Sequence, residues 1–108
     1  MSSIPLDIKN RIIELCQLMI QEQMNILEGC RELTTLFHEI NPNFKEEAFL
    51  FFVGIASETD HFPLGEFRSH CSQAYLEKAD QEMAEFLKKY QRQIVEHCEK
   101  VVQKILTM

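Results

Sequence analysis

The sequence predicts an all-α fold, an antiparallel helical bundle in a single domain over residues 1–108. Three observations carry this. Apolar residues recur at steps of three and four in both outer thirds of the chain. Only three glycines and three prolines interrupt 108 residues. The surplus of Leu, Ile, Glu, Gln and Lys, with no tryptophan, suits helices rather than a β-sandwich. Hydrophobic residues make up 45% of the chain, enough for a core that buries roughly two-thirds of the surface on folding.

The N-terminal stripe runs through Ile12, Cys16, Met19, Gln23, Ile26, Cys30, Leu33, Phe37 and Ile40, with Gln23 its one polar member. Ser3 is placed to cap its start, and Pro5 sits in the first turn, where a missing N–H costs little. Gly29 marks a kink or a break, so this third is either one bent helix or two collinear ones. Asn41-Pro42-Asn43 ends the stripe, because the residue before proline is pushed out of α space.

Asn43 and Glu46 form a capping-box-like start for the next element. The apolar run from Ala48 to Ala56 has no polar side, so it is read as a short buried helix at the centre of the bundle. Residues 57–68 follow as a loop, with Pro63 and Gly65 placed for a turn. From Ser72, a plausible N-cap, one stripe (Leu76, Ala79, Met83, Leu87, Tyr90, Ile94, Cys98, Val101, Ile105) describes a long helix of about nine turns to the C-terminus. Two long helices thus enclose a short central one.

The net charge of −6 excludes simple phosphate-neutralising nucleic-acid binding and suits a basic protein partner. Residues 1–71 hold 11 acids against 5 bases, and residues 72–108 hold six of each, so an acidic face belongs to the first two thirds. The longest apolar run, Ala48 to Val53, is far short of the roughly 18 residues a membrane span needs. The start shows no signal-peptide pattern, and the four cysteines contain no CxxC pair. A cytoplasmic protein with reduced thiols and no membrane attachment is expected.

Glu58, Asp60, His61, Glu66, Arg68 and His70 crowd one short stretch. As a metal site the set lacks HExxH or HxxxH spacing. As an acid–base site, Asp60, His61 and His70 have no nucleophile motif beside them. An architectural reading has Asp60 capping the turn, Arg68 bridging to Glu58 or Asp60, and Phe62, Leu64 and Phe67 plugging the loop onto the bundle. A recognition reading makes the loop an aromatic anchor ringed by carboxylates. The recognition reading nominates Glu46, Glu47, Glu58, Asp60, His61, Phe62, Glu66 and Arg68 as partner-binding residues, with no catalytic residue, metal or cofactor. The rival readings are a small metal-assisted or acid–base enzyme, and a homodimer that shares one stripe.

The segment Phe51–Arg68, FFVGIASETDHFPLGEFR, together with Ile26–Arg31, ILEGCR, resembles small uncharacterised bacterial proteins that carry an FVGIxSETD stretch followed by PxGxxR. Proteins of this kind are similar in size and charge to immunity proteins of toxin systems. That resemblance implies a non-enzymatic protein which binds a basic toxin domain and blocks its active site.

Overall fold

The computed structural model describes residues 4–40 and 46–107, which form four α-helices and one short 3-10 helix. Helix α1 spans Leu6–Ile20, α2 Ile26–Ile40, α3 Glu47–Glu58 and α4 Gln73–Leu106, with the 3-10 turn at Gly65–His70 between α3 and α4. No strand occurs among the described residues. The all-α expectation therefore holds. The N-terminal half, however, is two 15-residue helices rather than one long rod.

The break lies at residues 21–25, not at Gly29. Glu22 adopts the left-handed conformation at φ 56°. Its N–H donates to the Met19 carbonyl at 3.2 Å, and the Gln23 N–H donates to that of Leu18 at 2.8 Å, the paired bonds of a Schellman ending. Asn25 then caps α2, its side-chain oxygen accepting from the Glu28 N–H at 3.0 Å. Gln23, counted above as a stripe member, belongs to this turn. Pro5 likewise precedes the first turn, its carbonyl accepting from the Lys9 N–H. Ser3 and Asn43, named above as caps, lie outside the described residues. At the start of α3, Glu46 holds the cap position and accepts from the N–H groups of Phe49 and Leu50.

Nor are α1 and α2 collinear. Arg11 of α1 binds Glu32 of α2 at 2.6 Å, which requires α2 to turn back along α1. Gly29 serves that return. A Cβ there would stand 2.5 Å from the sulfur and 2.7 Å from the Cγ of Met19, so a larger residue makes the buried Met19 side chain move.

Helices α2 and α3 are also antiparallel, since Phe37 stacks on Phe49 with ring centroids 4.2 Å apart while Arg31 reaches Thr59. Against α4, Lys104 pairs with Glu46 at 2.7 Å, His97 stacks on Phe51 at 3.6 Å, and Phe86 meets Phe62. Helix α3 and the segment after it thus descend α4 from its C-terminal end toward its start. The 34 residues of α4 rise about 51 Å, the whole 50 Å long dimension of the molecule. Helices of 12 to 15 residues cover only its C-terminal part. Its N-terminal part is covered instead by the connection from α3, so that connection is a structural wall as well as a link.

The core lies where the four helices meet. Ile12, Leu15, Leu33, Phe52, Ile94, Val101 and Ile105 are fully buried. Cys16, Cys30 and Cys98 are buried with them and unpaired, packing as small apolar groups. A hydrogen bond with Cys98 and burial push the Cys16 thiol far up, and burial does the same at Cys30, so both stay protonated and inert at neutral pH.

Candidate functional site

The connection between α3 and α4 is built around two arginines. Helix α3 ends at Thr59, which is fully buried and whose hydroxyl donates to the Ile55 carbonyl at 2.7 Å. A helix ending here leaves carbonyls without intrahelical donors. The Thr59 carbonyl takes the Phe62 N–H at 3.1 Å and also the Nη2 of Arg31, which reaches across from α2 at 2.5 Å and donates to the Phe62 carbonyl at 3.0 Å as well. A cation at a helix C-terminus also complements the helix dipole. The Arg31 Nε is buried and makes no hydrogen bond.

The second half is held by Arg68. Its fork donates to both Asp80 oxygens, at 2.7 and 2.8 Å, and its Nη1 also donates to the Pro63 carbonyl at 3.2 Å. The expected bridge from Arg68 to Glu58 or Asp60 is therefore absent, because its partner lies on α4. The Arg68 guanidinium holds the Asp80 carboxyl below the usual carboxylate range. Gly65, at φ 59°, supplies the left-handed residue at which the chain turns into the 3-10 helix. Finally, the Tyr75 hydroxyl donates to the His61 carbonyl at 3.4 Å, and the Ser69 hydroxyl to that of Glu66 at 2.7 Å.

The predicted site residues divide sharply on this frame. Phe62 is buried, 6% exposed, and Leu64 packs against the core, so both plug the connection as expected. Phe67 does not: it is 61% exposed. Asp60 caps nothing. Glu58, Asp60, His61 and Glu66 are all exposed. Among the described residues, no hydrogen bond or ion pair engages the carboxylates of Glu58, Asp60 or Glu66. Glu46 and Glu47 belong elsewhere. Glu47 lies at the opposite end of α3, about 17 Å along the axis from Glu58, and Glu46 is occupied by Lys104. The eight candidates are thus not one patch. Phe62 and Arg68 build the connection, Glu58, Asp60, His61 and Glu66 are displayed on it, and Glu46 and Glu47 stand apart.

His70 and Cys71 close the segment, with His70 exposed and the Cys71 thiol donating to the Phe67 carbonyl at 3.5 Å. Among the described residues, no three His, Cys, Asp or Glu side chains are grouped to hold a metal ion. No helix there is long and apolar enough to cross a membrane.

Arg31 was missing from the candidates. The available signal is that it is the sole Lys or Arg of α2, beside a buried Gly-Cys pair. A lone cation at such a place needs an acceptor from another element. Tyr75, 47% exposed at the start of α4, was missed too, because it lies off the apolar stripe.

Residues 6–101 match a family described as a protein of unknown function, DUF2489. No curated protein and no solved structure matches the chain.

Proposed function

The chain belongs to the DUF2489 family, and we propose that it is a non-enzymatic protein-binding module, an immunity protein that docks on a basic bacterial toxin domain and covers its active site. One observation carries the reading. The connection after α3 is tied down by two arginines, yet Asp60, Glu66 and the ring of Phe67 on it, and Glu58 at the end of α3, are exposed, and among the described residues the three carboxylates have no partner. Exposed acids alone only solubilise a surface, and it is their grouping with an exposed aromatic ring on an anchored segment that supports recognition.

The mechanism follows from the chemistry of that surface. Unpaired carboxylates raise the encounter rate with a basic cleft and fix the docked orientation. The exposed Phe67 supplies an aromatic anchor of the kind hot spots use. The backbone is ordered before binding, so association loses little further entropy there. A basic active-site cleft, such as one that grips phosphates, is then filled by acidic side chains in place of its substrate.

The test is co-purification of the tagged chain from its native cells, followed by calorimetric titration with whatever basic protein is recovered. Wild type is expected to bind with an affinity that falls steeply with salt. The double variant Glu58→Lys and Asp60→Lys should bind at least about tenfold more weakly at low salt. Binding indifferent to both salt and charge reversal, or no binding, would overturn the proposal.

A further inference from the structure

We infer that the cleft between the connection and the first turns of α4 receives one arginine side chain of the docked protein. The inference rests on the protein-binding reading above and extends it to the partner's chemistry. Residues Tyr75, Lys78, Ala79 and Glu82 stand at the i, i+3, i+4 and i+7 positions of one helix face. Together with His61 and Phe62 they line a cleft of about 200 Å³. Phe62 and Ala79, both 6% exposed, make an apolar floor. His61 and Tyr75 flank it, held to each other by the Tyr75 hydroxyl on the His61 carbonyl. The His61 ring lies 4.3 Å from that of Phe62.

This lining matches each part of an arginine. The floor takes the methylene stem. The aromatic faces take a planar, weakly hydrated guanidinium better than a compact ammonium. Glu82 is exposed and joins no ion pair among the described residues, although Lys78 lies four residues before it. Its two oxygens are free to accept a guanidinium fork. Lys78 lines the same cleft and balances the charge of Glu82, so selection falls to the guanidinium fork and the aromatic faces rather than to net charge. The larger grooves lack this combination. The one between the end of α1 and α4 and the one beside Gly65 each hold more acids than bases, but neither has an aromatic ring on which a guanidinium could stack.

The test needs no toxin. The 15N-labelled chain is titrated with Nα-acetyl-arginine amide, and separately with the lysine and glutamate amides. The arginine amide should produce saturable shifts at the amides of Phe62, Tyr75, Ala79 and Glu82. The lysine amide should bind about tenfold more weakly, and the glutamate amide not at all. Glu82→Gln should weaken arginine binding about tenfold, and Tyr75→Leu should weaken it as well. Shifts from arginine no larger than those from glutamate, or arginine binding unchanged in both variants, would overturn the inference. Neither result involves Glu58 or Asp60 reversal, so the cleft can fail while the docking surface stands.

Discussion

Phe52→Ala is expected to lower the unfolding free energy by about 3–5 kcal/mol, among the largest effects of a single truncation in this molecule. Phe52 is fully buried, and its ring meets Phe51 edge-on at 5.4 Å, Phe37 at 6.2 Å and His97 at 6.4 Å. Those three residues belong to α3, α2 and α4. Removing the ring therefore opens a void where three helices meet, and none can close on it without parting from the others. For a chain this size the Tm should fall by about 20 °C, read by far-UV circular dichroism. Urea titration should show a lower midpoint with the slope unchanged. Phe51→Ala, at a half-buried ring, serves as the milder comparison. A loss from Phe52→Ala below about 1.5 kcal/mol would show that α3 is not the centre of the bundle.

Arg31→Met is the second large effect, and it acts on the connection rather than the core. Methionine keeps the stem and removes both bonds to the carbonyls of Thr59 and Phe62. Bonds from a charged donor contribute about 1.5–3 kcal/mol each, and the Phe62 carbonyl left unpaired carries its own desolvation cost, whereas that of Thr59 keeps the Phe62 N–H. Loss of the otherwise unpartnered Nε offsets part of this. A net decrease of about 2–3 kcal/mol is expected, with Arg31→Lys intermediate, because an ammonium lacks the planar fork. The location of the effect matters more than its size. Amide exchange at residues 59–64 should accelerate more than exchange in α1. Uniform acceleration throughout would mean that Arg31 contributes to global stability and does not anchor this segment.

The helices were legible where one face meets one neighbour. The stripe from Leu76 to Ile105 describes α4, and Ser72 caps it as expected, accepting from the Tyr75 N–H at 3.2 Å. The apolar run from Ala48 marks α3 because a segment without a polar side has to be interior. The α1–α2 turn was obscured by accident of phase. Met19 and Ile26 keep the helical register across the break, so periodicity alone ran through it, although Asn25 and Glu28 carry a capping signal. Gly29 attracted the break for the usual energetic reason, a poor helix former, while its actual role is set by Met19, a contact no local pattern encodes. The site was legible in composition and not in pairing. Acids, an aromatic and an arginine could be counted between residues 57 and 68. That Arg68 turns to Asp80, that Arg31 closes the end of α3, and that Phe67 points outward are consequences of tertiary packing between elements distant in sequence.

The central claim is that the surface carried by the α3–α4 connection meets another protein. Hydrogen–deuterium exchange of the chain, free and saturated with the basic protein that co-purifies with it, tests this most directly. The account predicts new protection confined to residues 58–67 and the first turns of α4, around Phe67 and Tyr75. Protection at the opposite end of the bundle instead, around Leu6, Leu50 and Leu106, would contradict it.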